Sequence, residues 1–289
     1  MTDAARVASV IDRADEALLA VDNVSVRFGG VHALTDVSFV LPQGVLGAVI
    51  GPNGAGKTTL FNCTTGIYRP TSGRITFEGK QVSNLPQHKV ARLGIARTFQ
   101  NLALFSGMTV VDNLMLGRYL HGRTGILKGM LYLPSVAREE VRQRQRVEEI
   151  VDLLEINAYR DTYVKDLPYG LQKRVELGRA VAQDGRLLLL DEPMSGMTTE
   201  EKEDMARFIL DVRSALGTTI LLVEHDMGVV MDIAELVTVF DFGVKIAEGT
   251  PEQIQRDERV VAAYLGDRRK LTDVTPEQEE EAATALLTG

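Results

Sequence analysis

One glycine-rich segment constrains this chain more than any other feature. An apolar run, residues 45–50, precedes it, and a helix-like run follows it. The segment matches the pattern G-x-x-x-x-G-K-[ST]. Because a strand precedes it and a helix follows it, the pattern predicts a phosphate-binding P-loop. Glycines let successive backbone N–H groups turn toward phosphates, and the helix directs its positive end at them. The segment comprises Gly51, Pro52, Asn53, Gly54, Ala55, Gly56, Lys57, Thr58 and Thr59.

Two side chains of this loop extend the prediction to a metal. Lys57 would bring a positive charge to the β- and γ-phosphates, and Thr58 would offer its hydroxyl to Mg²⁺. A chance match in a turn is the alternative, with odds on the order of one in a hundred at a glycine usage of about 7%. The sequence therefore predicts a chain that binds a nucleoside triphosphate.

The composition argues against several classes of protein. The 289 residues carry a formal net charge of −8, whereas general nucleic-acid binding favours a basic surface. The single Cys63 excludes an internal disulfide and a cysteine metal cage. No run approaches the roughly 18 apolar residues of a membrane span, and acidic residues stand where a signal peptide needs an apolar core. We expect a protein that neither crosses a membrane nor is exported.

Hydrophobic periodicity predicts an α/β domain with a helical insertion. Residues 19–28 and 35–41 alternate between apolar and polar, which is typical of antiparallel strands. Residues 187–190 and 219–223 are apolar runs typical of buried parallel strands. We expect an N-terminal extension over 1–17, a folded domain over 18–266 with a helical subdomain at about 107–185, and an acidic tail over 267–289.

A second motif follows the apolar run 187–190. Asp191 and Glu192 come directly after it. A carboxylate at the end of a strand can hold Mg²⁺ through water, and the adjacent Glu192 can orient or deprotonate an attacking water. Coincidence is the alternative, but two acids after a buried strand, downstream of a glycine loop, favour function. A P-loop by itself leaves kinases, GTPases, recombinases and transport ATPases open, and this second motif narrows the choice.

With both motifs in this order, the chain resembles the ATP-binding subunits of ABC transporters from Leu18 to Gly266. The resemblance implies an α/β fold with a P-loop NTPase (RecA-like) core, an antiparallel β subdomain and an inserted α-helical subdomain. It implies that Gln100 touches Mg²⁺ and the attacking water, and that His225 contacts the γ-phosphate. Phe28 would stack on adenine, with core packing as its alternative. The implied cofactors are ATP and Mg²⁺, and Glu192 joins Gln100 and His225 as a catalytic residue.

A third segment, residues 167–174, resembles the signature of that family, normally Leu-Ser-Gly-Gly-Gln at a helix N-terminus. In the family, the signature clamps the γ-phosphate bound by the opposite subunit. Here Pro168 replaces the serine and Leu171 replaces a carboxamide, while backbone donors at the helix N-terminus survive. The residues that the resemblance assigns to the partner's nucleotide are Pro168, Tyr169, Gly170, Leu171 and Gln172.

Within the family, the nearest resemblance is to the branched-chain amino-acid importers. It rests on Phe28-Gly29-Gly30, Arg97-Thr98-Phe99-Gln100, Glu224-His225-Asp226-Met227 and the ending Ala263-Tyr264-Leu265-Gly266. Importers of urea or short amides and exporters of lipid or lipopolysaccharide are alternatives inside the family. Outside transport, the alternatives are a soluble ABC ATPase of DNA repair or translation and a module that senses ATP without useful turnover.

The resemblance also implies partners and a location. A second ATPase subunit, identical or different, would close head to tail, so that each signature covers the other subunit's nucleotide. Membrane permease subunits would insert a helix into a groove near Asn101–Phe105. The implied location is peripheral, on the cytoplasmic face of the plasma membrane, with no nucleic acid and no direct contact with cargo. The expected activity is ATP hydrolysis coupled to transport.

Overall fold

Two β-sheets form the framework of the fold in a computed structural model, which describes residues 17–98, 104–118 and 134–264. The strands, in chain order, are β1 Ala17–Phe28, β2 Val31–Pro42, β3 Leu46–Ile50, β4 Ser72–Phe77, β5 Lys80–Gln81, β6 Ile95–Arg97, β7 Leu187–Asp191, β8 Thr219–Val223, β9 Leu236–Asp241 and β10 Val244–Gly249. One sheet is antiparallel with the order β2-β1-β4-β5, and the other has the order β10-β9-β3-β8-β7-β6.

The α-helices of the described residues are α1 Lys57–Thr64, α2 Gln87–Leu93, α3 Val110–Gly117, α4 Pro134–Leu153, α5 Tyr169–Val181, α6 Thr199–Leu216, α7 Met227–Ile233 and α8 Pro251–Arg256. Residues 258–264 are helical as well. Within the described ranges, no helix combines the length and the apolar character needed to span a bilayer.

A short sequence pattern, a threonine followed three residues later by an acid, marks the starts of two helices. Thr109 and Asp112 form a capping box at α3, in which the threonine hydroxyl accepts from the Asp112 N–H at 3.2 Å. Thr198 and Glu201 form the same arrangement at α6. Gly217 ends α6 in a left-handed conformation with φ 63°. These local signals succeed because each depends on residues within one helical turn.

The six-stranded sheet contains a parallel core that positions the loops of interest. β3, β8, β7 and β6 run parallel, and β9 joins β3 in the same direction. Every residue of β3, β7 and β8 is buried, as the continuous apolar runs predict. Because these strands are parallel neighbours, their carboxyl ends lie along one edge, where ligands bind in open α/β sheets.

The antiparallel sheet confirms the predicted alternation of its strands. β1 and β2 pair from Ala17↔Pro42 to Phe28↔Val31. The first strand, β1, begins at Ala17, next to residue 18, where the folded domain is predicted to start. Leu19, Val24 and the other inward residues of this sheet share a core with the apolar residues on one face of the parallel sheet.

The helices α3, α4 and α5 pack against one another and share a second core with the other face of the parallel sheet. Leu114, Ile150 and Val175 lie in that core together with Leu188 of β7. Two other predictions lie outside the described residues: the N-terminal extension up to residue 16 and the acidic tail at 267–289.

Candidate active site

A cleft of about 300 Å³ opens where three parallel strands end. Residues 31–33 and 53–59, Glu192 and His225 line it. The order β3-β8-β7 explains this convergence, since the P-loop follows β3, Glu192 follows β7, and His225 follows β8. The structure therefore brings together three elements that lie far apart in the sequence.

The backbone of the P-loop requires glycine at two positions. Gly51 has φ 149°, and a Cβ atom there would lie 2.1 Å from the carbonyl oxygen of Phe240. Gly56 has φ 100°, and a Cβ atom there would lie 2.6 Å from the carbonyl oxygen of Ala33. Helix α1 begins at the next residue, and no side chain of the described ranges caps it. Its first N–H groups therefore suit an anion.

Lys57 is folded into the loop that precedes it. Its Nζ donates to the carbonyl oxygens of Gly51 and Pro52 at 2.6 and 2.9 Å. Burial lowers the pKa of Lys57, and the negative charges of Glu192 and Asp191 oppose that shift. A phosphate in the cleft would offer this ammonium a full negative charge in place of carbonyl dipoles, which is the stronger type of hydrogen bond.

Glu192 and His225 form a pair across the cleft. Glu192 Oε1 lies 2.6 Å from His225 Nε2. The histidine side chain is 41% exposed and the glutamate side chain is 13% exposed. Both line the cleft, and the carboxylate is the more buried of the two groups. A carboxylate held beside an imidazole can accept or orient a proton of water.

Glu224 connects the segments on either side of this pair, a role that the sequence did not reveal. Its buried side chain accepts hydrogen bonds from the backbone N–H of Met194 at 2.8 Å and of His225 at 3.1 Å. Burial raises the pKa of Glu224. The available signal was an acid directly after an apolar core strand, where a buried carboxylate needs local N–H donors.

Arg97 reaches Asp191 from the neighbouring strand. Its Nη2 lies 2.7 Å from Asp191 Oδ2, and its Nη1 donates to Asn62 Oδ1 at 2.7 Å. The Asp191 side chain is fully buried. Asp191 thus lies beneath the cleft rather than on its wall. The sequence marked Arg97 only as part of a motif shared with relatives and assigned it no role.

Phe28 is 46% exposed, which removes core packing as its explanation. Its ring makes an edge-to-face contact with Tyr68 at a centroid distance of 5.0 Å. Phe28 pairs with Val31 at the β1–β2 turn, and Val31 lines the cleft. An exposed aromatic ring held by a neighbour at one end of the cleft suits stacking on a nucleotide base.

Residues 168–172 lie at the start of α5 and do not line the cleft. Pro168 occupies the N-cap position, and the Tyr169 hydroxyl donates to the carbonyl oxygen of Ser195 at 3.0 Å. The carboxamide of Gln172 donates to the carbonyl oxygen of Leu167 at 2.8 Å. This helix start is therefore linked to the segment after Glu192, but it is separate from the cleft of its own chain. Gln100 and Asn101 lie outside the described residues.

Two known families match the chain. Residues 34–195 match one described as ABC transporter, and residues 244–270 match one described as branched-chain amino acid ATP-binding cassette transporter. The high-affinity branched-chain amino acid transport ATP-binding protein BraF of Pseudomonas aeruginosa is 39% identical, covering 86% of this chain and 98% of BraF. The corresponding protein LivG of Escherichia coli is 39% identical with the same two coverages.

A solved structure is similar over nearly the whole fold. It is the ADP conformation of MJ1267, an ATP-binding cassette of an ABC transporter. The TM-score is 0.76 at 30% sequence identity, and the match covers 86% of this chain and 99% of the other. The similarity confirms the predicted α/β fold with a P-loop core.

Proposed function

The chain belongs to the ABC transporter family, and from that premise we propose that it is the ATP-hydrolysing subunit of an importer for branched-chain amino acids. The ATPase assignment is supported chiefly by one observation: the P-loop, Glu192 and His225 line the same cleft. The cargo assignment is supported by the family match of residues 244–270 and by the 39% identity to BraF.

ATP would bind with its triphosphate on the P-loop and its adenine at Phe28. The first N–H groups of α1 and the ammonium of Lys57 supply the positive end of the site. The exposed ring of Phe28 lies at the β1–β2 turn, next to residues 31–33 of the cleft wall. In this arrangement, backbone N–H groups bind the phosphates, and an aromatic ring contacts the base.

The residues around Asp191 fit a Mg²⁺ ion that accompanies the nucleotide. Oδ1 of Asp191 is buried and has no hydrogen-bond partner among the described residues. Mg²⁺ favours carboxylate, hydroxyl and water oxygens, so Asp191 and the Thr58 hydroxyl would hold it, together with Gln100. Bound Mg²⁺ would neutralise negative charge on the β- and γ-phosphates.

Glu192 would act as the general base on the attacking water. Its carboxylate orients the water and takes its proton while the water oxygen bonds to the γ-phosphorus and the bond to the β-phosphate oxygen breaks. ADP and inorganic phosphate are the products. His225, whose Nε2 lies 2.6 Å from Glu192 Oε1, would contact the γ-phosphate beside this carboxylate.

A second cassette subunit, identical or different, would complete the site. Residues 168–172 do not line the cleft of their own chain, and the start of α5 offers backbone N–H groups to an anion. In a head-to-tail pair, each such segment would cover the nucleotide of the other subunit. With Pro168 and Leu171 in place of the usual side chains, this chain would contribute mostly backbone donors to its partner's nucleotide.

Permease subunits would dock beside the segment 101–105. Its last residue, Phe105, is 55% exposed, and Met108 nearby is exposed as well. Such docking would place the subunit on the cytoplasmic face of the plasma membrane. We propose that residues 18–266 form the cassette, that about 107–185 form the helical subdomain which moves with the permease, and that residues 1–17 and 267–289 flank it.

Uptake in cells tests both parts of the proposal. A strain lacking the gene should lose uptake of labelled leucine, isoleucine and valine, the wild-type chain should restore it, and the variant Glu192→Gln should not. The variant Glu203→Gln, which changes an exposed acid on α6, is the matched control and should restore uptake. Loss of urea or short-amide uptake with normal leucine uptake would replace the cargo assignment and leave the ATPase assignment standing.

A further inference from the structure

We infer that Arg97 is a positioning residue, which holds the carboxylate of Asp191 so that its second oxygen serves the metal of a bound nucleotide. The inference rests on the proposed function, because it needs nucleotide and Mg²⁺ at the cleft. It adds a role for a side chain on β6, a strand that contributes nothing to the cleft wall itself.

The contact between the two side chains is buried and specific. Arg97 Nη2 lies 2.7 Å from Asp191 Oδ2, and the two side chains are 8% and 0% exposed. The other oxygen, Oδ1, is buried without a hydrogen-bond partner among the described residues. A buried carboxylate oxygen left in this state is unfavourable, and a metal-bound water would satisfy it. Arg97 therefore occupies one oxygen and leaves the other for the ligand.

The opposite side of the guanidinium is anchored on the P-loop helix. Nη1 donates to Asn62 Oδ1 at 2.7 Å and to Thr65 Oγ1 at 3.3 Å. Asn62 belongs to α1, the helix that also carries Thr58. Arg97 thus links Asp191 to the helix that carries Thr58, and these are two of the groups proposed to hold the metal.

The backbone of Asp191 is held by a different contact. Its N–H donates to Thr98 Oγ1 at 3.1 Å, and β6 and β7 pair in parallel next to it. Loss of the Arg97 side chain would therefore leave the strand in register while the carboxylate loses its partner. The expected defect is in metal use rather than in folding of the P-loop.

The Mg²⁺ dependence of nucleotide binding tests this inference in the full chain. A fluorescent non-hydrolysable ATP analogue is titrated in EDTA and at increasing Mg²⁺. For Arg97→Met we expect the half-saturating Mg²⁺ concentration to rise about tenfold or more, the usual effect of removing a residue that orients a metal ligand. Affinity in EDTA should stay within about twofold of the wild type, because the P-loop donors are intact.

Two further variants complete the test. Arg97→Lys keeps the charge but cannot bridge Asp191 and Asn62 as a planar fork. Its half-saturating Mg²⁺ concentration should therefore lie between those of the wild type and Arg97→Met. Arg186→Met is the matched control, since Arg186 pairs with Glu78 and packs on Phe77 away from the cleft. Its Mg²⁺ dependence should equal that of the wild type.

The possible failures are distinguishable. Wild-type Mg²⁺ dependence in Arg97→Met would overturn the inference while leaving the proposed function intact. Absence of Mg²⁺-dependent nucleotide binding in the wild-type chain would overturn the proposed function. If circular dichroism shows that Arg97→Met does not fold, Arg97→Gln takes its place with the same expected rise, and an unchanged Mg²⁺ dependence there would equally overturn the inference.

Discussion

Glu192 Oε1 lies 2.6 Å from His225 Nε2, although the two residues are 33 positions apart in the chain. The contact arises because Asp191 pairs with Val223 on neighbouring parallel strands, which places the following residues side by side. Glu192 also has φ 49°, which is uncommon for a residue with a side chain, and its N–H donates to the Val223 carbonyl at 2.8 Å. Such strain is concentrated at functional sites.

Replacing Glu192 with Gln should remove most ATP hydrolysis and preserve ATP binding. The amide has nearly the same shape, but it cannot take a proton from water. We expect the rate of phosphate release to fall about 100-fold or more, while the Kd for ATP changes by less than about twofold. Steady-state phosphate release and a nucleotide titration measure the two quantities. An ATPase rate equal to that of Glu203→Gln would refute the assignment of Glu192.

Replacing Phe28 with Ala should weaken nucleotide binding. The ring is exposed and braced by Tyr68, so its loss removes a stacking surface without opening a hole in the core. We expect a loss of about 1–3 kcal/mol of binding free energy, the range for stacking of a base on an aromatic ring. Titration with ATP measures it, and Tyr159→Ala, at an exposed tyrosine of the helical region, is the control. Unchanged affinity in Phe28→Ala would exclude the stacking role.

Replacing Gly51 with Ala should distort the P-loop. The added Cβ would lie 2.1 Å from the carbonyl oxygen of Phe240, which belongs to a buried strand and cannot move freely. We expect the free energy of unfolding in urea to drop by about 1–3 kcal/mol or more, with loss of nucleotide binding. Gly30→Ala is the matched control, since a Cβ there meets nothing within 4 Å. Equal stability of the two variants would contradict the strain argument.

Cys63 should make stability fall at high pH. Burial raises the pKa of its thiol to about 11 from an ordinary value of 9.0. Between these two values the thiol of the unfolded chain loses its proton while the folded one keeps it, so ionisation favours unfolding as the pH rises. The free energy of unfolding should decrease by an amount on the order of 2 kcal/mol over this pH range. Urea unfolding at pH 8 to 11 should show this decline in wild type but a shallower one in Cys63→Ala, whose own pH dependence serves as the baseline. If the free energy of unfolding depended on pH equally in the two proteins, the raised pKa of Cys63 would be refuted.

Much of the fold could be predicted because its signals are local. The capping boxes at Thr109 and Thr198, and the apolar runs that became β7 and β8, each depend on a few adjacent residues. The P-loop is recognised by spacing within nine residues. Convergence of Glu192 and His225 on that loop could also be expected, since parallel strands place their carboxyl ends together.

The sequence by itself determined that this chain has a P-loop, two acids after a buried strand, and the family to which it belongs. Only the tertiary structure decided that Arg97 holds Asp191 across 94 positions, that buried Glu224 binds two backbone N–H groups, and that Phe28 is exposed. The physical reason is that these contacts depend on which strands are neighbours and on how side chains pack between them. A turn can be predicted from the spacing of residues along the chain. The partner of a buried charge depends on which residues the fold brings next to it.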